Sequence, residues 1–194
     1  MEKDILYKYR SIDNLKNFLD IILNNRLYAA YYKDLNDPQE GQYYYIKGEL
    51  QKETRDKLYN NKGSYKICSL SKTSDNQLMW SHYANGHKGV AIGVKVTDKA
   101  PSVLIKDINY SGLATLKEQD YTSQSVIDIL SRKLEIWDYE KEVRVFIQNK
   151  SFIDVEVYEI IIGSKMSDND KEFIKKIIDK INPMIVITDE VIPI

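Results

Sequence analysis

Two rhythms of apolar and polar residues run along this chain, a period of two that predicts strands and a period near 3.6 that predicts helices. Residues 5–10 alternate, with Ile5, Tyr7 and Tyr9 on one face and Leu6, Lys8 and Arg10 on the other. Asp13 is then placed to cap a helix carrying Leu15, Phe18, Leu19, Ile22 and Leu23 at helical spacing. Residues 26–32 are short, aromatic and strand-like. Asp37, Pro38 and Glu40 match a capping box that opens a helix. Residues 49–61 read as a highly polar, exposed helix, and 67–71 as a strand with Ser69 and Ser71 on one face.

Ser74 or Asp75 caps a short predicted helix through Met79, His82 and Tyr83, ended by Gly86. Residues 89–96 alternate Val90, Ile92, Val94 and Val96, and 103–110 form a further strand candidate. Residues 123–137 are amphipathic through Val126, Ile127, Leu130 and Leu134. An apolar strand follows at 155–163. Ser167 opens a helix bearing Phe173, Ile174, Ile177, Ile178 and Ile181, stopped by Asn182-Pro183, and 184–188 is a last strand. Strands outnumber helices and the two do not alternate regularly. The expectation is a single α+β domain over residues 1–194, with mixed or antiparallel sheet and flanking helices.

One strand departs from the simple pattern. From Val143 to Ile147 apolar residues alternate, so Glu142, Arg144, Phe146 and Gln148 share a face, which Glu140 joins if the strand begins early enough. Carboxylates are depleted in strands and seldom buried without partners. Two of them beside an arginine point to a site, against the plainer reading of a solvated charge pair on a half-exposed sheet.

Composition narrows the chemistry. Net charge is −1, so no global field draws the protein to nucleic acid or anionic membrane. A single cysteine, Cys68, excludes an internal disulfide framework and fits a reducing cytoplasm. No stretch has the length of a membrane span or the pattern of a signal peptide. There is no Gly-rich phosphate loop and no nucleophile elbow, and His82 and His87 are a poor zinc pair across Gly86. Asp37, Glu40, Glu140 and Glu142 fit a metal-dependent nuclease only loosely, and no metal is expected.

Five segments, Leu6-Tyr7-Lys8-Tyr9-Arg10-Ser11, Asn36-Asp37-Pro38-Gln39-Glu40, Met79-Trp80-Ser81-His82-Tyr83-Ala84, His87-Lys88-Gly89-Val90 and Trp137-Asp138-Tyr139-Glu140-Lys141-Glu142-Val143-Arg144, occur in this order. The set resembles the bacterial family named domain of unknown function 2971. A looser resemblance is to ADP-ribosyltransferases, which carry a basic or histidine residue on an early strand, a Ser-x-Ser-like or tyrosine element on a middle strand, and a glutamate, often Glu-x-Glu, opening a later one. Arg10, Ser69-Leu70-Ser71 and Glu140-Lys141-Glu142-Val143 stand in those places, although the middle element lacks the usual Ser-Thr-Ser.

The second resemblance implies NAD as substrate and a macromolecular acceptor, protein or nucleic acid, in a toxin or phage-defence setting. Glu142 would stabilise the oxocarbenium-like centre left when nicotinamide departs, and Glu140 would deprotonate the acceptor. Arg10 would hold ribose or phosphate, Ser69 would orient Glu142 or the ribose, and Ser71 and His82 would complete the cofactor site. Tyr83 or Tyr31 would stack the nicotinamide ring. The residues also carry plainer readings. Trp80 and Trp137 are expected as core anchors, Asp37 to Glu40 as helix capping, Ser69 and Ser71 as partners of backbone groups, and Arg144 as the neutraliser of its carboxylate neighbours. Two competing functions are a non-catalytic module sensing a nucleotide or nucleic-acid end, and a metal-dependent nuclease or hydrolase.

Overall fold

The computed structural model describes residues 5–122 and 124–191. In chain order its elements are β1 (Leu6–Arg10), α1 (Leu15–Asn24), β2 (Arg26–Tyr28), β3 (Ala30–Tyr31), β4 (Tyr43–Tyr44), α2 (Lys52–Gly63), β5 (Lys66–Ser71), α3 (Gln77–Tyr83), β6 (Val90–Val96), β7 (Leu104–Asp107), β8 (Ala114–Thr115), α4 (Ser125–Leu130), β9 (Glu142–Ile147), β10 (Phe152–Ile162), α5 (Asp168–Ile181) and β11 (Val186–Asp189). The main sheet runs β11-β10-β6-β1-β5-β9-β7, with β2 added to β10 and β3 to β5. Its pairings are antiparallel except β10 with β11. β4 and β8 form a separate parallel pair. The architecture is α+β.

Strand alternation sends side chains to two faces, and both are covered. On one face Cys68 and Leu70 of β5, Ile92 and Val94 of β6, and Val145 and Ile147 of β9 pack with Phe18, Ile21 and Ile22 of α1 and Ile174 and Ile178 of α5. On the other, Ile67 and Phe146 pack with Leu58 of α2 and with Val126, Ile127 and Leu130 of α4. Farther along that face Tyr9 and Ala91 meet Met79 and Trp80 of α3. Trp80 is fully buried, its ring edge-on to Tyr9 at 5.3 Å and its Nε1–H donating to the Ser74 carbonyl. Trp137, the other expected anchor, belongs to no buried cluster among the described residues. It is half-buried, with Lys133 Nζ 5.5 Å from its ring.

Several predicted elements differ in detail. The side chain of Asn14, one residue past Asp13, caps α1 by accepting from the Asn17 N–H, and Asn76 caps α3 in the same way. Helix α2 is polar but not wholly exposed, because Thr54, Leu58 and Lys62 form a buried stripe four residues apart. No helix follows Asp37. Its side chain accepts from the Gln39 N–H and its carbonyl from the Glu40 N–H, which closes a turn ended by Gly41 at φ +69°.

The predicted helix over 123–137 also breaks up. Its first residue lies outside those described, and α4 stops at Leu130. Beyond it the chain extends alongside Asn109, whose N–H donates to the Ser131 carbonyl and whose carbonyl accepts from the Lys133 N–H. Tertiary backbone pairing here overrides helical periodicity. A 3₁₀ helix over Glu135–Glu140 then leads into β9.

Candidate functional site

The main sheet is incompletely zipped at its centre. β1 pairs with β6 along its whole length but meets β5 only at Tyr7↔Ser71. Lower down, β5 is met by β3 at Ala30↔Ile67 and Tyr31↔Lys66. Between those contacts lies residues 68–70 of β5, and Lys8 Nζ donates into the gap to the Ser69 carbonyl at 2.9 Å. A lysine tip thus satisfies a carbonyl that a neighbouring strand would otherwise take. A cavity of about 830 Å³ opens here and continues through the sheet, since its wall includes Ile21 and Phe152 on one side and Met79 and Tyr83 on the other. The wall carries Lys8, Arg10, Lys16, Arg26, Lys133 and Arg144 against Asp20, Asp34, Glu40, Glu140 and Glu142.

On the α3 side the charges are buried and interlocked. β9 aligns with β5 so that Ser69 faces Arg144 and Ser71 faces Glu142, all on the face predicted from alternation. Arg144 is wholly inaccessible. Its fork grips Glu142 through Nε (2.8 Å) and Nη2 (3.2 Å), and Glu40 through Nη1 (2.5 Å) and Nη2 (2.7 Å), while Nη1 also donates to the Leu130 carbonyl. Lys133 Nζ lies 2.6 Å from Glu140 and 2.9 Å from Glu142. Tyr83 donates its hydroxyl to Glu140 Oε1 at 2.6 Å and accepts from Asn36 Nδ2 at 2.8 Å. The result is three carboxylates interleaved with two cations.

Local backbone geometry makes this convergence happen. Glu140 ends the 3₁₀ helix and is not on the strand; Lys141 turns left-handed at φ +44°, and β9 starts at Glu142. Glu142 therefore points inward from the strand face that alternation predicts, whereas Glu140 reaches the same place by the turn, the strand beginning too late to include it. Ser71 Oγ donates to the Glu140 carbonyl at 2.7 Å and accepts from the Thr73 N–H, so it serves the backbone. Glu40 is delivered by the tight turn before Gly41, where a Cβ would stand 2.8 Å from the Tyr32 ring.

Environment separates the carboxylates. Although burial opposes its charge, Arg144 and Lys133 hold Glu142 down to about 2, with a smaller contribution from the Ser69 hydroxyl. Glu142 is thus anionic at any physiological pH, which suits an electrostatic stabiliser and not a proton carrier. Burial pushes Glu40 up, more than its pairing with Arg144 pulls it down. Lys133 loses by desolvation but gains more from Glu142 and Glu140, so its pKa is raised. Burial, reinforced by the bond to Glu140, raises the Tyr83 phenol.

On the α1 side the character is cationic. Arg10 is half-buried, on the face opposite Tyr7 and Tyr9, and among the described residues it has no carboxylate within ion-pair distance; burial lowers its pKa. Lys16 stands nearby on α1, and Arg26 is neutralised by Asp20 at 2.8 Å. Arg10 and Glu142 therefore line one cavity from opposite faces of the split sheet and do not form a direct pair.

Two expected members are not part of this site. His82 is exposed, its ring 6.3 Å from that of Tyr83 and 6.4 Å from that of Tyr139, and it does not line the cavity. Tyr31 is also off the cavity wall, with Lys66 Nζ 4.9 Å from its ring. Two further residues are central: Lys133, which sequence reasoning does not single out, and Glu40, which it reads as helix capping or, loosely, as a nuclease carboxylate. Lys133 looks like the solvated face of an amphipathic helix, so no local signal marks it. Glu40 looks like a capping residue, and the cue against that role is the glycine directly after it. Among the described residues no three His, Cys, Asp or Glu side chains are grouped so as to hold a metal ion. Four of the five ordered motifs place a residue on this wall, namely Arg10, Glu40, Tyr83 and the Glu140–Glu142–Arg144 set; in the fifth, Gly89 lets the chain approach the Arg10 carbonyl, which a Cβ would meet at 2.1 Å. No protein-family model matches the chain, and no curated protein or solved structure gives a significant match.

Proposed function

We propose that this protein is an NAD-dependent, ADP-ribosyltransferase-like enzyme that modifies a macromolecule, and that its motif set places it in the domain of unknown function 2971 family. One observation carries the reading. A buried carboxylate held ionised by two cations, Glu142, lies on the wall of a cavity of about 830 Å³, and the same cavity exposes Arg10, a half-buried cation without a carboxylate partner among the described residues. That volume falls within the usual range for ligand pockets. A dinucleotide threaded through the split would set its phosphates by Arg10 and Lys16 and its nicotinamide ribose by Glu142.

The reaction follows from those charges. The ribose C1′–nitrogen bond breaks, its electron pair leaves with neutral nicotinamide, and positive charge develops at the sugar. Glu142 stabilises that charge from a water-poor wall. The acceptor's lone pair forms the new bond to C1′, and Glu140 receives the acceptor's proton. Tyr83 and Lys133 fix the orientation of Glu140.

The test is nicotinamide release from NAD, measured chromatographically with wild type and Glu142→Gln, alongside the thermal midpoint of each. Release by wild type, with a loss of roughly 100-fold or more in a folded Glu142→Gln protein, supports the mechanism, since losing a comparable electrostatic contact costs about that much. Equal rates in the two proteins sink it. The sensing module is the second reading, favoured by the neutralisation of Glu142 by two cations, which weakens the field it offers a substrate. Its signature is an NAD-dependent rise in midpoint without nicotinamide release.

A further inference from the structure

A second cavity, of about 780 Å³, adjoins the first across the segment that carries Leu35, Asn36 and Glu40. Its chemistry is different. Four tyrosine rings, Tyr32, Tyr43, Tyr45 and Tyr59, are interleaved with Lys33, Arg55 and Lys62. Lys33 Nζ sits 4.4 Å from the Tyr59 ring centre, the Arg55 guanidinium carbon 5.0 Å from that of Tyr45, and Lys62 Nζ 5.1 Å from that of Tyr43. Each cation is therefore held beside an aromatic ring.

None of the three forms an ion pair with a carboxylate among the described residues. Lys33 donates to the Tyr59 hydroxyl, Arg55 Nη1 to the Tyr45 hydroxyl, and Lys62 Nζ to the Gly41 carbonyl. The Nε of Arg55 is buried with no hydrogen-bond partner, and an unmet charged donor is costly. The acidic groups of the cavity are Asp37, Asp56 and Glu40. Asp37 closes its own turn and Glu40 is held by Arg144, which leaves Asp56 alone against three cations. Tyr45 and Tyr59 keep 40% and 56% of their surface exposed while in contact with those cations.

Flat π-faces alternating with uncompensated positive charge match one ligand chemistry, stacked bases joined by phosphates. A nucleic-acid strand supplies a ring and a charge at every unit, whereas a peptide does so only where aromatic and acidic residues alternate. We propose that this trough binds a short stretch of single-stranded nucleic acid, with bases on Tyr45 and Tyr59 and phosphates at Lys33 and Arg55, the buried Lys62 adding to the positive field. A whole-chain charge of −1 agrees with a local footprint of a few nucleotides and not a long track. The proposal stands on this trough alone, whether or not the first cavity turns over NAD.

Fluorescence anisotropy with a labelled DNA or RNA single strand of roughly ten nucleotides tests it. Wild type should bind, with a log–log salt slope of about −1.4, the value for two phosphate contacts on a single strand. Tyr59→Ala and Tyr45→Ala, both at exposed positions, should each weaken binding about tenfold, as expected on losing one stacked base. Arg55→Gln should lower the magnitude of the slope by about 0.7. The assay contains no NAD, which separates its result from the fate of the transferase reading. Absence of binding at low salt, binding untouched by either tyrosine variant, or equal competition by a duplex and a ringless polyanion such as polyphosphate would each overturn the proposal.

Discussion

Arg144 is wholly buried and serves two carboxylates and a backbone carbonyl at once. Removing it leaves Glu40 and Glu142 buried without their principal cation, the circumstance in which breaking an ion pair is expensive. Arg144→Met is expected to lose about 3–5 kcal/mol of stability, read from urea denaturation. Arg144→Lys should restore little, because an ammonium cannot grip two carboxylates through a planar fork. Glu142 gives a prediction in pH. Its folded pKa, about 2, is below the unfolded value near 4.5, so its pairing stabilises fully above pH 4.5 and is lost as pH falls towards 2. Glu40 has the opposite sign: its raised folded pKa favours the folded state as it protonates. Wild type should therefore lose stability between pH 4.5 and 2 with a component absent from Glu142→Gln, and superimposable profiles would refute the assignment. Glu142 and Arg144 were legible in sequence because alternation fixes their common face. Lys133 was not, since a lysine buried by long-range pairing has the same local pattern as one in water.

At the level of elements, alternation located the sheet well and capping rules located turns less well. β1, β5, β6, β9 and α5 fall where periodicity puts them. The segment from Asp37 to Gly41 does not, because the same Asp and Pro chemistry that opens helices also closes turns, and the following backbone decides which. Gly41 decides here, through a left-handed φ and its close approach to Tyr32. Gly41→Ala is expected to destabilise by about 1–3 kcal/mol and to loosen the Glu40–Arg144 pairing. Gly112 is an internal comparison, since it shares a positive φ (+92°) but has nothing within 4 Å of a would-be Cβ. A thermal melt in which Gly112→Ala loses as much as Gly41→Ala would mean that the Tyr32 contact contributes nothing.

Over the whole molecule, the split between β1 and β5 joins two chambers that either face alone would keep apart. Carboxylates and their cations fill the α3 side, and Arg10 and Lys16 face the α1 side. Sequence alternation already separates Arg10 from Tyr7 and Tyr9, but only the incomplete pairing at Tyr7↔Ser71 turns opposite faces into two ends of one cavity. Under the transferase reading, this division separates binding from chemistry. Arg10 meets phosphates that carry the same charge in ground and transition states, so its contribution is uniform binding. Glu142 meets charge that exists only as the glycosidic bond breaks. Arg10→Gln should therefore raise KM for NAD about tenfold or more with kcat nearly unchanged, whereas Glu142→Gln should lower kcat with a much smaller change in KM. Steady-state kinetics on both variants, with thermal midpoints to establish folding, distinguish this from a site in which the two residues act together. Matching losses of kcat in both variants would mean that Arg10 acts at the reacting centre, and that the two chambers are one.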